Sequence, residues 1–191
     1  IWSALRTQPD KKHFVTSRVE HPAIMSNVPL LRKLGYLVTE VGVDEKGNLL
    51  WDQFIEALTP DTALASFLWA NNETGVLFPV EEMAEACADR GILFHSDAVQ
   101  VEGKMPMNVY KTKIDMLAIS GHKLHAPKGI GVMYLRRGVT YTPFMVGGHQ
   151  ESGRRGGPEN VPYIVGLDRA CAVALATMEA ANTSVRALLD P

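Results

Sequence analysis

The chain has 191 residues, 46% of them apolar and 21% charged, with a formal net charge of −2. Such a composition is globular, excludes a disordered chain and offers no basic footprint for nucleic acid. No apolar stretch reaches the length of a bilayer span, and the opening IWSALRTQPDKKHF carries charges and a proline where a signal peptide needs an apolar core. Two cysteines, Cys87 and Cys171, cannot build a disulfide framework, so a reduced, cytoplasmic setting is expected. The chain opens without Met and closes at Leu188-Leu189-Asp190-Pro191 just after a helical pattern, which reads as a piece of a longer protein.

In chain order, residues 1–12 are polar and start partway through a helix or loop. His13 to Val19 is rich in β-branched and aromatic residues and predicts a strand. Glu20-His21-Pro22 stops it, with Pro22 at the first turn of a helix running to about Leu34 and capped by Gly35. Tyr36 to Val43 is a second strand, closed by the turn Asp44–Asn48. Asp52 is placed to cap a short helix through Leu58. Thr62 to Trp69 is a third strand, followed by Asn71-Asn72-Glu73-Thr74-Gly75. Pro79 opens an amphipathic helix with Met83, Ala84, Cys87 and Ala88 on one face, ended by Gly91. Ile92 to His95 is a fourth strand, ending at Ser96-Asp97, and 101–113 is a connecting loop.

Two apolar runs, Ile114 to Ile119 and Ile130 to Leu135, flank Ser120-Gly121-His122-Lys123-Leu124-His125-Ala126-Pro127-Lys128-Gly129. An amine held in a short loop between buried strands is expected to sit near apolar walls, which would lower its pKa from roughly 10.4 and make Lys123 a Schiff-base nucleophile. From Gly138 the chain is glycine-rich, and Glu159-Asn160 leads into a long apolar-periodic helix through about Ala187. Strands alternating with helices predict an α/β layered sheet, mostly parallel. In such sheets ligands bind beyond the carboxyl ends of the strands. His21, Asn71/Asn72, Asp97 and Ser120–Lys123 each fall within a few residues of a predicted strand's C-terminal end, so four polar clusters face one pocket.

Lysine, aspartate, histidine and amides in one pocket fit pyridoxal phosphate, whose pyridine nitrogen needs a carboxylate partner. Lys123 is the candidate for covalent attachment and Asp97 for the ring nitrogen. His21 could stack on the ring and handle protons near the substrate. Gln100 and Asn72 could donate to the ring hydroxyl's oxygen, and Ser120 and His122 to the phosphate. Each assignment alone is weak; a helix cap, a strand-end carboxylate or a histidine before proline would account for several of them.

The segments VEHPAI, WANNETGVLFPV, FHSDAVQ, SGHKLHAPKGIGVMYLRRG and GGHQESGRRGGPENVP resemble the cysteine desulfurases, in particular their NifS-like branch among the class V aminotransferases. The resemblance runs in register over almost the whole chain. It implies a fold-type I transferase large domain, with residues 1–191 a partial cofactor-binding domain and the helix from about 160 to 191 leading toward a C-terminal small domain. It also implies a homodimer, conversion of L-cysteine to L-alanine, and delivery of persulfide sulfur to an iron–sulfur scaffold. By motif, Lys123 matches the cofactor-linking lysine, Asp97 the ring-nitrogen partner, Gln100 the ring-hydroxyl contact and His21 the stacked imidazole. Asn72 matches a cofactor- and substrate-facing amide, Ser120 and His122 phosphate contacts, and Lys128 a structural lysine.

Three departures stand out. The family's phosphate loop would lie before residue 1, and its persulfide cysteine and a substrate-binding arginine beyond residue 191. Cys87 and Cys171 are expected on buried apolar helix faces and do not replace that cysteine. Where the family reads Gly-Thr-Glu-Asn, this chain has Gly157-Pro158-Glu159-Asn160. Losing that hydroxyl contact to a charged group would cost roughly 1.5–3 kcal/mol. Ser152 stands where relatives often have a basic residue.

Other readings are a selenocysteine lyase or another class V enzyme, a zinc-dependent hydrolase built on His21, His95, His122, His125, His149 and Asp97, and a non-catalytic dimerisation module. No His pair has the i, i+4 helical spacing of zinc peptidases.

Overall fold

The computed structural model describes residues 1–189; Asp190 and Pro191, the end of the predicted C-terminal segment, lie outside the described residues. Six strands form one sheet: β1 (His13–Ser17), β2 (Leu37–Val41), β3 (Thr62–Leu68), β4 (Leu93–Asp97), β5 (Met116–Ser120) and β6 (Gly131–Leu135). The helices are α1 (Trp2–Arg6), α2 (Pro22–Met25), α3 (Val28–Lys33), α4 (Trp51–Ala57), α5 (Val80–Ala88), α6 (Gln150–Gly153) and α7 (Val161–Leu189). The sheet order is β2-β1-β3-β4-β5-β6. Every neighbouring pair is parallel except β5–β6, which is antiparallel.

β1 and β3 are buried along their whole length because both of their faces are covered, whereas β6 at the sheet's edge is largely exposed. Side chains alternate across a strand, so Phe14, Leu64 and Met116 face one way while Val15, Ala65 and Leu117 face the other. On the first face Leu5, Ile24, Val28 and Leu31 of α1, α2 and α3 close a cluster with Val38. On the second, Phe54 and Ala57 of α4 and Val80, Met83, Ala84 and Cys87 of α5 pack on Phe67 and Phe94. Phe54 meets Phe67 edge-on at 5.3 Å, and Phe67 stacks on Phe94 at 6.4 Å. Each buried phenylalanine contributes about 1.5–3 kcal/mol.

Three expectations are corrected. The helix predicted from Pro22 to Leu34 is two helices broken at Ser26-Asn27. Pro29 cannot donate to the carbonyl four residues back and its ring crowds it, so the ladder stops before it. Asn27 bridges the break: its Nδ2 donates to the Ala23 carbonyl at 2.7 Å, and its Oδ1 accepts from Trp2 Nε1 at 2.9 Å. Asp52 is not the cap of α4; Leu50 holds that position and Asp52 sits in the first turn, where its charge complements the helix dipole.

The third correction concerns α7. It spans 29 residues, and an 18-residue window has mean hydropathy 1.4, so by length and composition alone it could cross a bilayer. Asp168, Arg169 and Glu179 interrupt the apolar runs and hide the average from a reading that seeks unbroken stretches. The helix is tied to the domain: a Cβ on Gly166 would lie 2.9 Å from Pro127, and one on Gly121 would lie 3.1 Å from Leu167. Asn182 Nδ2 also donates to the Lys104 carbonyl at 2.8 Å. Only Leu167 of this helix is buried, while Val161, Ile164, Val173, Leu175 and Leu188 stand exposed.

β6 lies so close to β5 that glycine is required where they meet. Gly131 pairs with Ser120, and a Cβ there would sit 2.6 Å from the Ile119 carbonyl oxygen. Gly131→Ala is expected to lower stability by roughly 1–3 kcal/mol, read as a fall in thermal midpoint; an unchanged midpoint would show that the pairing can relax.

Candidate active site

The four strands β1, β3, β4 and β5 are adjacent and run the same way, so the segments leaving their C-terminal ends emerge along one edge. That edge gathers His21 after β1, Asn71 and Asn72 after β3, Asp97 as the last residue of β4, Gln100 three residues on, and Ser120 as the last residue of β5. His122 and Lys123 follow in a 3-10 turn, Gly121–Leu124. All seven expected site residues therefore lie along a single edge.

His21 caps α2, its Nδ1 accepting from the Ala23 amide at 3.1 Å. Asn71 is consumed by its turn: its Oδ1 accepts from the amides of Glu73 and Thr74, both at 2.9 Å, and its Nδ2 donates to the Val19 carbonyl. Asn72 is exposed, which leaves it as the amide of the pair facing outward. Asp97 is half-buried, and its Oδ1 accepts from the Val99 amide at 3.0 Å. Its other oxygen makes no hydrogen bond among the described residues. Gln100 Oε1 accepts from Lys104 Nζ at 3.2 Å. Ser120 Oγ and His122 Nδ1 are 2.7 Å apart, so the two expected phosphate contacts already form one unit.

Lys123 departs from expectation. Its side chain is exposed, although α7 packs against the turn that carries it, where a Cβ on Gly121 would lie 3.1 Å from Leu167. The expectation for cysteine fails in half. Cys87 is buried in the α5 face, which pushes its thiol up to about 12. Cys171 lies exposed on α7. What desolvation Cys171 has, together with Asp168 and Glu102, raises its thiol above the ordinary value.

The histidines do not converge. His95 lies inside the sheet with Nδ1 2.8 Å from Ser66 Oγ, and burial pushes its pKa down to about 3. Among the described residues no three His, Cys, Asp or Glu side chains form a metal-binding group. Two open clefts lie elsewhere, one of about 730 Å³ beside Pro106 and Asn182 and one of about 670 Å³ beside Tyr110 and Arg136. The strand-end edge is identified by its chemistry and not by concavity.

Two carboxyls at this edge escape a sequence reading. Glu20, 7% exposed, accepts from Ser17 Oγ at 2.5 Å and from the Leu68 amide of β3 at 3.1 Å; its Oε2 has no partner. Burial, outweighing these hydrogen bonds and helped by Asp97, pushes its pKa up to about 8. Glu102, 3% exposed, accepts from the Ser120 amide of β5 at 3.2 Å, and its Oε2 is likewise orphaned. Burial pushes it up to about 7. Glu20 stands beside His21 and looks like a strand-end charge; Glu102 sits in a stretch that reads as a mixed loop. The signal is an acid placed where the chain is about to be enclosed, which only the packing reveals.

At this edge of an open α/β sheet, where such folds bind ligands, a carboxylate ends β4 and a lysine sits in the turn after β5. The chain belongs to the aminotransferase class-V family, whose model matches residues 1–189. It is 52% identical over 190 residues to the cysteine desulfurase NifS of Azotobacter vinelandii, covering all of this chain and 47% of that protein. A solved NifS-like protein superposes with a TM-score of 0.90 at 36% identity, over 94% of this chain and 50% of that one. A structure described as SspA in complex with cysteine gives 0.84 at 36% identity, over 88% and 49%. The chain spans about half the length of the relatives it matches, and its fold is that of the fold-type I transferases.

The carboxyl of Glu20 provides a test of the edge. Its folded pKa of about 8 stands above its ordinary 4.5, so its contribution to stability is full below the ordinary value and is lost as pH rises through the folded one. The slope is at most about 1.4 kcal/mol per pH unit. Glu20→Gln, which keeps the accepting oxygen, is expected to gain stability over the wild type as pH rises from 5 to 8. Denaturation midpoints at pH 5, 6.5 and 8 measure this, and a constant difference between the two proteins would contradict it.

Proposed function

We propose that the protein to which this chain contributes is a pyridoxal-phosphate-dependent cysteine desulfurase. It would convert L-cysteine to L-alanine and pass the sulfur, as a persulfide, toward an iron–sulfur scaffold. The observation that carries the reading is Asp97 and Lys123 leaving the same edge on adjacent parallel strands, β4 and β5. The resemblance to NifS at 52% identity and the likeness to a structure holding cysteine support the chemistry and the substrate class.

The residues present fit the cofactor. The Asp97 oxygen left free by the Val99 amide is available to a protonated ring nitrogen. The Ser120–His122 pair offers donors for a phosphate, and Lys123 offers an exposed amine for covalent attachment. When bound, pyridoxal phosphate supplies a ring that withdraws electron density from the substrate's α-carbon. Asp97 would keep a proton on the ring nitrogen and so keep that withdrawal strong. His21 would face the ring and exchange protons near the substrate, and Asn72 and Gln100 would donate to the ring hydroxyl's oxygen. Pro158, lacking both a hydroxyl and an N–H, would not supply the phosphate contact that the resemblance assigns to a threonine at this position.

A homodimer and a cytoplasmic setting belong to the same reading. The exposed apolar residues of α7 and the two free thiols support them. Neither cysteine offers an exposed thiolate, so the chain by itself is expected to release little alanine from cysteine. Pyridoxal phosphate added to the protein is expected to give visible absorbance that borohydride abolishes, leaving the label on Lys123. Lys123→Ala should lose the absorbance, and Asp97→Asn should shift it and weaken binding by tenfold or more. A label on Lys128, or no visible band, would overturn the assignment.

A further inference from the structure

Glu102 lies just beyond Gln100, behind the turn that carries the expected phosphate contacts. The residue is only 3% exposed. One oxygen accepts the Ser120 amide at 3.2 Å, and the other faces no donor. Ser120 in turn holds His122, with Oγ to Nδ1 at 2.7 Å. Glu102 therefore adds a side-chain hold, beside the Gly121 N–H to Ile130 carbonyl bond, on the backbone from which both donors project. The fixing group is an acid, and an ionised acid behind a phosphate-binding turn opposes the dianion it is meant to hold.

We propose that Glu102 is a positioning residue for the Ser120–His122 turn: its carboxyl pins the end of β5, and its protonation state sets how well that turn holds a phosphate group. The proposal rests on reading the turn as the cofactor's phosphate site. In the neutral form the oxygen that accepts the Ser120 amide remains and the repulsion is gone, whereas ionisation strengthens the grip on Ser120 and places a negative charge close behind the donors.

The groups that face Glu102 set its balance. Lys104, on the same loop, favours the charged form, and Asp97, at the end of β4, disfavours it. From α7, Cys171 lies within its influence, with Asp168 beyond; His122 and Lys123 stand on the turn itself. Burial is the largest influence and carries the carboxyl up to about 7, close to neutral pH.

The test needs no turnover. In the protein without cofactor, the amide signal of Ser120 and the carboxyl signal of Glu102 are followed by nuclear magnetic resonance from pH 5 to 9. Both are expected to titrate together near neutrality, and the Ser120 change should vanish in Glu102→Gln. Lys104→Met should move the shared midpoint upward, a readout that survives even if Glu102→Gln folds poorly. Dissociation constants for pyridoxal phosphate and for pyridoxal are then measured at pH 6 and 8.5. The wild type should lose about tenfold more affinity for the phosphorylated form than Glu102→Gln does, the size of one pKa unit of like-charge coupling. Pyridoxal should show no such difference. A Ser120 amide that does not titrate, or identical affinity profiles in the two proteins, overturns the proposal. If the amide titrates but pyridoxal phosphate binds at no pH, the phosphate reading of the turn falls, and the coupling with it.

Discussion

Parallel pairing of β1, β3, β4 and β5 is the constraint on which the rest depends. Parallel neighbours must end on the same side, and each return to the start of the next strand has to cross a face of the sheet. The crossings supply the helices that bury Phe14, Phe67 and Phe94 on both faces. The ends supply one polar edge, where His21, Asn72, Asp97 and Ser120 meet although up to about a hundred positions separate them in sequence. Core and site are thus two results of one alignment. The hydrogen bonds made at that edge, such as Leu68 N–H to Glu20 and Ser120 N–H to Glu102, complete backbone groups that the ladder leaves open at strand ends.

Much of this was legible before any coordinates. β1 and β3 announce themselves as runs rich in β-branched, aromatic and small residues, their few polar side chains satisfied by neighbouring strands, and polar residues after such runs mark the edge. The identities at the edge, and the family resemblance they carry, follow from short segments whose order the sheet preserves. What could not be read depends on how segments meet. Pro29 splits a helix because of a clash with one carbonyl, and that local fact loses to overall periodicity when a pattern is read at a distance. Glu20 and Glu102 look like ordinary surface acids until the sheet and α7 close around them. The exposure of Lys123 and Cys171 reflects which faces other parts of the molecule do or do not cover, and no local pattern encodes that.

Three acids along one edge differ in how far the fold encloses them. Glu20 and Glu102 are enclosed, and burial favours their neutral forms. Asp97 is half-open to water and receives an amide hydrogen bond. Exposure divides the same functional group three ways: Asp97 stays open to water, while Glu20 and Glu102 are enclosed and hold strand ends by accepting the amides of Leu68 and Ser120.

The β5–β6 pairing differs from every other contact in the sheet in how far apart its partners lie along the chain. Only ten positions, 121–130, separate these strands, and the lysine turn fills them. Joining Glu20 to Leu68 closes a span of 48 positions. Short closures lose less chain entropy and form faster than long ones. The hairpin carrying Lys123 can therefore assemble while β1 and β3 are still finding each other, so this turn belongs to the most local unit of the sheet.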